Sequence, residues 1–585
     1  MLLSPAHAQQ TPPPAEQAAT QTQPHADAPE IRLPPNYRPD YSVIEADLLS
    51  STYIPLDSWM YPAMERLYGL GYLDTAFLGL RPWTRLSALH MLEKAGPAIA
   101  SDQGTASDEA EEIYLALVHE LAPDAVAYGG HGEVDTVYSR FLGITNTPLR
   151  DSWNLGQTII NDYGRPYQAG INNSSGASAR AEYGRYSLYV RGEYQRAASA
   201  SGYSSPLAAY LSFIDSIPYA SNPVQDTIPL GPISSVNNIR LLEATASMHL
   251  IGHEVSIGKT DHWWGPAKGG AFAWSNNADN IYSFQIDRVE PLRVPLLSRV
   301  TGPFRYDFLV GSLQGHSDPN HPWVHSEKIS FKPTSNLEFG FERTVIWGGR
   351  GHEPVNLHTF LRSFFSFSNT NYATKFSNRD PGARFTQFDF SYRLPKLRNW
   401  ATLYTDSFSH DDVSPVSAPR RAAIRPGIYF SHLPGMPKLD LRVEGASTDP
   451  VTSRSFKGEF IDYEAVHQQG VTNKGLIFGD AIGREDKGGQ AWVGYHLSPR
   501  EHIEVSYRRV KAAKDFIQAR PFGVHGGTTQ DEFKGEIVKR WSDDLEIKGA
   551  VQYEQWKAPV YLPGTNSDVA VWGQLTWYPK IARQF

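Results

Sequence analysis

The feature that most constrains the fold is a two-residue alternation of apolar and polar side chains, which begins near residue 126 and continues to the end of the chain. Successive side chains of a β-strand point to opposite faces of its sheet, so this period predicts strands and not helices. In the stretch RYSLYVRGEYQ, the apolar face consists of Tyr186, Leu188, Val190 and Tyr194. The opposite, polar face consists of Arg185, Ser187, Arg191, Glu193 and Gln195.

The length of the alternating segments indicates a membrane protein. They run to roughly ten residues, the length that a tilted strand needs to cross a bilayer, whereas strands of soluble sheets are mostly about five or six residues long. No apolar run approaches the roughly 18 to 20 residues that a membrane-spanning helix requires. Insertion through helices is therefore excluded, while a transmembrane barrel, whose strands hide their apolar residues by alternation, is not.

Short turns and long polar loops alternate along this part of the chain. The tight turns are marked by Pro333, Pro395, Pro434, Pro499 and Asp543. Their spacing of about 40 to 65 residues leaves room for two long strands and one longer loop, such as residues 368–384, which is the pattern of outer-membrane barrels. Residues 126–585 then hold about nine hairpins, so we predict a mostly β protein with a transmembrane antiparallel β-barrel of about 18 strands.

Residues 46–125 show instead the period of amphipathic helices. We expect three short helices: one capped by Asp57 or Ser58 and stopped near Gly69, one capped by Thr84 and stopped by Gly96-Pro97, and one ending at Pro123. Together they predict a small helical bundle on the periplasmic side of the barrel.

The chain begins with MLLSPAHAQQ, which has the form of the end of a secretory signal with an A-x-A cleavage site. We interpret residues 1–8 as a signal-peptide remnant whose true start codon lies upstream; a disordered tip without function is the alternative. Residues 9–45 are rich in Gln, Pro and Ala and contain too few large apolar side chains to form a core. They predict a disordered tether.

Composition and motifs exclude several function classes. The formal net charge of −8 argues against nucleic acid as a partner, and the absence of cysteine removes disulfides and thiolate chemistry. The stretch GHEVSIGKT at residues 252–260 has five residues, not four, before its GK pair, and it precedes no helix, so it is not a P-loop. We predict no catalytic residues, no metal site and no cofactor. A barrel hydrolase with Ser and His facing outward on adjacent strands stays open as an alternative.

The stretch IGKTDHWWGPAKGGAFAWSNNADN at residues 257–280 combines aromatic rings with polar side chains. Aromatic faces stack on the C–H side of sugar rings, and carboxylate, amide and imidazole groups bond sugar hydroxyls. The candidate polysaccharide-binding residues are Asp261, His262, Trp263, Trp264, Trp274, Asn276 and Asn277, joined for acidic sugars by Lys375, Arg379 and Arg384 in a long loop. The alternatives are lipid-facing tryptophans, turn-forming asparagines and loop charges that serve solubility.

Several blocks of sequence, taken in order, resemble the Wzi family of capsule-assembly proteins. They are SWMYPAMERLYGLGYLD, RPWTRLSALHMLEKAG, NDYGRPYQAGINN, RYSLYVRGEYQ, IGKTDHWWGPAKGGAFAWSNNADN and FQIDRVEP. The resemblance implies an 18-stranded outer-membrane barrel with a periplasmic helical bundle. It further implies a non-enzymatic lectin that binds exported capsular polysaccharide at the cell surface. We also expect a monomer, with outer-membrane lipid as its other partner. A porin-like channel for small solutes or sugars is the second hypothesis, because charged lumen-facing residues also line aqueous pores.

Overall fold

The computed structural model describes residues 49–102, 104, 106–123, 130–220, 225–368, 370–410, 421–450, 461–511, 528–579 and 581–584. The predicted signal-peptide remnant and tether lie outside these ranges. Within them, no helix has the length and apolar character needed to cross a membrane.

The strands account for most of the regular structure. They are β1 (His131–Ile144), β2 (Arg150–Asp151), β3 (Gly156–Gln157), β4 (Gly170–Tyr183), β5 (Tyr186–Ala197), β6 (Val236–Leu250), β7 (His253–Lys259), β8 (Tyr282–Asp287), β9 (Phe304–Ser312), β10 (Trp323–Thr334), β11 (Leu337–Trp347), β12 (Ala383–Arg393), β13 (Ala401–His410), β14 (Ala423–Phe430), β15 (Leu439–Ser447), β16 (Thr472–Asn473), β17 (Leu476–Ile477), β18 (Lys487–Ser498), β19 (Glu501–Lys511), β20 (Thr529–Ser542), β21 (Leu545–Ala558), β22 (Leu562–Trp577) and β23 (Ala582–Gln584).

In the described part of the chain, eighteen of these strands form a closed antiparallel barrel. The order around the barrel is β1, β4 to β15 and β18 to β22, and β22 pairs with β1 from Val137↔Trp577 to Ile144↔Ala570 to close it. Strand β23 continues the line of β22 along the first residues of β1. The predicted fold class and strand number are confirmed.

The predicted faces of the strands are also confirmed. On β5, Tyr186 and Leu188 are 60% and 48% exposed on the outside of the barrel, whereas Arg191 and Glu193 are buried in the lumen. The same division holds along β21, where Val551 and Tyr553 are exposed and Glu554 is buried. An apolar exterior and a charged interior suit a barrel whose wall contacts lipid.

All five predicted tight turns join neighbouring strands at one rim of the barrel. They connect β10 to β11, β12 to β13, β14 to β15, β18 to β19 and β20 to β21. Most of the long connections lie at the other rim, which we call the long-loop rim. Among them are residues 198–235, which contain α5 (Ser205–Asp215), and the rim loop, residues 348–382, which contains α7 (Leu357–Phe364) and α8 (Tyr372–Lys375). On the short-turn side, the longer β8 to β9 connection contains α6 (Ser298–Thr301).

The helical domain, residues 50–123, contains α1 (Met60–Gly69), α2 (Arg85–Leu92), α3 (Ala95–Ala100) and α4 (Ser107–Leu121). The Thr84 side chain caps α2 by accepting a bond from the Ser87 N–H, as predicted. The predicted stop at Gly96-Pro97 was wrong, because α3 begins at Ala95 and includes both residues. Proline is tolerated there because the N–H groups in the first turn of a helix have no intrahelical partner.

The helical domain lies against the short-turn rim. The Lys332 ammonium of β10 donates to the Ala76 carbonyl at 2.6 Å, and the Glu338 carboxylate of β11 accepts from the N–H groups of Leu78 and Gly79 at 2.8 and 2.9 Å. Across the opening, Arg66 donates to the carbonyl of Pro437 in the turn between β14 and β15 at 2.7 Å. The domain therefore bonds to well-separated points of this rim.

Candidate functional site

The predicted aromatic stretch lies inside the barrel. Strand β7 ends at Lys259, and the following residues, 260–281, which we call the inner segment, run through the lumen. The Lys259 ammonium donates to the Asp279 carboxylate at 2.7 Å, so it pairs with the far end of the same segment. This arrangement agrees with the reading of GKT as the end of a strand and not as part of a phosphate-binding loop.

Asp261 joins three separate parts of the chain. Its carboxylate accepts from the Leu56 N–H at 3.1 Å, from the Tyr163 hydroxyl at 2.8 Å and from the Asn280 amide. Burial and the nearby Asp57 carboxylate raise the pKa of Asp261. The residue therefore ties the N-terminal segment and the β1 to β4 connection to the inner segment.

Three tryptophans and one histidine form the aromatic part of the inner segment. Trp263 exchanges backbone hydrogen bonds with Arg81 of the helical domain at 3.0 and 3.2 Å. Trp264 is 0% exposed, and its ring meets that of Trp274 edge to face at 6.4 Å between centroids. The imidazole of His262 packs against both rings, and burial lowers the pKa of His262 to about 4.

Trp274 connects the inner segment to two other parts of the barrel. Its indole N–H donates to the Ser326 hydroxyl of β10 at 2.9 Å, and its ring stacks on Phe478 with centroids 4.2 Å apart. Phe478 belongs to the long connection between β15 and β18. Both tryptophans of the WW pair lie in the lumen, so the alternative interpretation of Trp263 and Trp264 as lipid-facing residues was wrong: the chain leaves the sheet before it reaches them.

Asn276 and Asn277 position the neighbouring connection between β1 and β4. The Asn277 side chain donates to the Ile477 carbonyl at 3.0 Å and accepts from the Asn161 N–H at 3.0 Å. The main-chain carbonyl of Asn276 accepts from the Tyr163 N–H at 2.6 Å. The Asn277 side chain and the Asn276 main chain therefore hold backbone groups of neighbouring connections.

The inner segment also bonds to the walls around it. The N–H groups of Lys268 and Gly269 donate to the Glu444 carboxylate of β15 at 2.7 and 3.0 Å. The Phe272 N–H donates to Asp406 of β13 at 2.9 Å. Together with the bond to β10, these contacts cross the lumen and fill it with protein. The seven predicted residues are thus brought together, but their side chains are packed among protein groups and buried.

The three predicted basic residues occupy different environments in and beside the rim loop. The Lys375 ammonium is held by the Gly382 carbonyl at 2.9 Å and by Glu464 at 3.0 Å. Arg384 is buried and donates to the Ser366 hydroxyl at 3.1 Å and the Ser368 carbonyl at 2.5 Å. Of the three, Arg379 is the exposed one.

Two aromatic residues of the rim loop escaped the sequence reasoning. Tyr372 is the first residue of the short helix α8 and Phe376 follows its last; they are 78% and 51% exposed, and their ring centroids lie 4.5 Å apart. Their spacing of four residues places both on one side of a helical turn. That spacing could have identified the pair in the sequence, but the whole loop was predicted to be polar.

The outer wall of the barrel carries a Ser–His–Glu chain of hydrogen bonds. The Ser363 hydroxyl of α7 lies 2.9 Å from Nε2 of His325 on β10, and Nδ1 of His325 lies 2.6 Å from the Glu327 carboxylate. A hydrolase triad has this connectivity, but its nucleophile must also be open to substrate. Ser363 is 0% exposed. Here the three hydrogen-bonded residues hold α7 on the barrel.

The part of the polypeptide that the structure describes contains no group of His, Asp and Glu suited to hold a metal ion.

Comparisons with known proteins agree with this architecture. The family model for the capsule assembly protein Wzi matches residues 142–571. The fold is similar to that of Wzi from Escherichia coli, described as an outer membrane protein involved in group 1 capsule assembly and a carbohydrate-binding β-barrel. The TM-score is 0.65 at 15% identity, and the match covers 91% of this chain and 100% of that one.

A weaker sequence match is to a 55.8 kDa protein from the cps region of Klebsiella pneumoniae. The two chains are 24% identical over 161 residues, which is 27% of this chain and 31% of that protein. This chain thus spans about a third of the length of the curated relative it matches. The family model, by contrast, covers most of the barrel, and the strands of this barrel form a closed ring as described above. The chain therefore belongs to the Wzi family of capsule assembly proteins and is an outer-membrane β-barrel.

Proposed function

We propose that this protein binds exported capsular or other surface polysaccharide at its long-loop rim and assists the attachment of that polymer to the cell surface, without enzymatic activity. Membership in a capsule-assembly family supports this proposal, as does the likeness to a barrel described as carbohydrate binding. The helical domain then lies in the periplasm, because long loops of outer-membrane barrels face outward and short turns face the periplasm.

The observation that carries the proposal is the filled lumen. The inner segment bonds to β10, β13 and β15, and the helical domain bonds to the short-turn rim. A solute path would have to displace these contacts, whereas a polymer can bind at the long-loop rim without moving them. The structure therefore favours an anchored binding protein over a porin-like channel.

The exposed pair Tyr372 and Phe376 is the binding surface that we propose at this rim. Two aromatic faces offer stacking to sugar rings, and the neighbouring Arg379 offers hydrogen bonds and charge to acidic sugars. Lys375, which lies between the two rings in sequence, bonds to Glu464 and the Gly382 carbonyl and thereby fixes the orientation of α8. Each sugar contact is weak, but many contacts along one polymer raise the overall affinity.

The inner segment has a supporting role in this proposal. Asp261, Asn276 and Asn277 hold the β1 to β4 connection, and Trp274 holds the β15 to β18 connection through Phe478. Direct contact between the buried aromatic rings and a sugar stays a prediction, and it requires that the loops above them open.

The amount of polysaccharide that stays on the cell surface measures this function in a deletion strain complemented with each variant. Complementation with the wild-type chain restores retention, and the double variant Tyr372→Ala with Arg379→Ala is expected to retain about tenfold less, since loss of about 1.4 kcal/mol corresponds to that factor. The matched control is Tyr183→Ala, which removes an exposed tyrosine (61%) next to a turn at the opposite rim. Equal retention by both variants at equal outer-membrane levels would contradict the assignment of the site.

A further inference from the structure

Helix α7 and the turn after it carry large apolar side chains that face away from the protein. Thr359 and Ser363 are buried and Phe360 and Phe364 are half-buried, whereas four other apolar residues of the helix and of the turn after it are exposed. The exposed side chains are Leu357 (71%), Leu361 (42%), Phe365 (63%) and Phe367 (67%). A helix on the surface of a water-soluble protein turns charged and polar side chains to its outward side instead.

The helix lies on the outside of the barrel wall. On β9, Asp307 and Leu309 are buried toward the lumen, so Phe308 between them points outward. The rings of Phe360 and Phe364 contact that of Phe308 edge to face, with centroids 6.3 and 6.2 Å apart. Because β9 ends at Ser312, four residues beyond Phe308, the contact lies close to the long-loop rim.

Polar groups on the outer wall hold the helix in place. His325 of β10 bonds the Ser363 hydroxyl at 2.9 Å. On the adjacent strand β11, the Arg343 guanidinium donates to the carbonyls of Ser363, Phe364 and Ser366 at 3.0, 2.7 and 2.8 Å. These carbonyls belong to the last turn of the helix and the residues just after it, where a cation is favourable.

The helix thereby covers polar groups that would otherwise face lipid. A histidine, a glutamate and an arginine on the outside of neighbouring transmembrane strands are costly next to acyl chains unless they are paired. The ring of Phe367 lies 5.2 Å from the Arg343 guanidinium and covers it. The outward surface of α7 is continuous with the apolar exterior of the wall, where the rings of Phe341 and Phe388 are neighbours.

We propose that α7 and residues 365–367 lie in the outer leaflet of the membrane, with Leu357, Leu361, Phe365 and Phe367 in contact with lipid acyl chains. Amphipathic helices bind bilayer interfaces through such an apolar face. Lipid is the occupant because the face continues the surface that lipid covers on the rest of the barrel. The opposite edge of the helix supports this orientation, since Arg362 pairs with Glu353 at 2.7 Å and bonds the Asn378 carbonyl at 2.8 Å within the rim loop. The rim loop is thus anchored at the membrane surface beside the mouth of the barrel.

Site-directed spin labelling tests this placement, and the absence of native cysteine makes single labels unambiguous. Leu361→Cys and Phe367→Cys are labelled with a nitroxide in the full chain and reconstituted into vesicles of phosphatidylcholine and phosphatidylglycerol. Collision with oxygen, which concentrates in the bilayer, is compared with collision with a water-soluble nickel chelate. Val505→Cys, on the outward face of β19, is the lipid reference, and Arg379→Cys, in the same loop as the helix, is the aqueous reference.

Labels at both test positions are expected to favour oxygen as strongly as the label at Val505→Cys. Nickel accessibility equal to that of Arg379→Cys would show that the helix lies in water and would overturn the proposal. Heat-modifiable migration shows whether each variant has assembled into a folded barrel. If one of the two variants assembles poorly, the label in the other still tests the proposal. Vesicles contain no other protein, so protection from nickel cannot come from a protein partner. This result is independent of whether the long-loop rim binds polysaccharide.

Discussion

At the scale of single residues, the aromatic stretch acts by filling space inside the barrel. Trp274 shows this best, because its ring stacks on Phe478 and its indole N–H bonds Ser326 across the lumen. A side chain in this position contributes both packing and a hydrogen bond that has no replacement when the ring is removed.

Trp274→Ala is therefore expected to lower the free energy of unfolding by about 3 to 5 kcal/mol, the range for replacing a buried aromatic residue with alanine. Urea unfolding in lipid vesicles measures the change. Trp541→Ala is the control, since Trp541 is 76% exposed at the end of β20 and should change stability far less. Similar losses in the two variants would show that the lumen is not packed as described.

His262 adds a pH dependence. Burial lowers its pKa from the ordinary 6.5 to about 4, so the unfolded chain binds a proton more readily than the folded chain. Protonation of His262 in the unfolded chain then costs no stability above about pH 6.5, and it lowers the free energy of unfolding as the pH falls from there toward 4. We expect His262 to account for about 2 kcal/mol of the loss between pH 8 and pH 5. His262→Gln should remove that part of the slope, and an unchanged slope would refute the assignment.

At the scale of elements, the helical domain docks through a buried ion pair network. Glu65 of α1 bonds Arg81 at 2.7 Å and Arg442 of β15 at 2.9 Å. Burial opposes ionisation of this carboxyl, but the two guanidinium groups outweigh it and hold the pKa of Glu65 below its usual value.

Glu65→Ala leaves two buried guanidinium groups without this partner and is expected to cost about 3 kcal/mol of docking free energy. Limited proteolysis of the intact protein in detergent should release the helical domain faster than in the wild type. Lys539→Ala breaks the exposed pair with Glu501 at the same rim and should stay within about 1 kcal/mol of wild type. Equal protection of the Glu65 variant and the wild type would mean that other contacts hold the domain.

The sequence predicted strand number, strand faces and tight turns because these depend on neighbouring residues. Tyr186 and Arg191 face opposite ways on β5 from periodicity alone, and Thr84 caps its helix with a residue three positions later. The position of the inner segment was not predictable in this way. Asp261 bonds Leu56, 205 residues before it in the chain, and such distant partners leave no local pattern. The aromatic stretch was therefore predicted to be a sugar-binding surface, and Tyr372 and Phe376 were not predicted as site residues.

At the scale of the whole molecule, the barrel is a membrane anchor with a protein-filled interior. The inner segment connects the walls, and the helical domain bonds to the short-turn rim. The connection between β15 and β18 also pairs with a charged lumen residue, since Arg425 of β14 bonds Asp480 at 2.6 Å. A porin leaves the equivalent space to water. The proposed function therefore requires a closed interior, with polymer bound at the long-loop rim.

Single-channel recording in planar bilayers tests this central claim most directly. The purified full-length protein, inserted with the heat-modifiable migration of a folded barrel, is predicted to show no steady conductance. Steady ohmic steps that scale with salt concentration would show an open aqueous path through the barrel and would contradict the account.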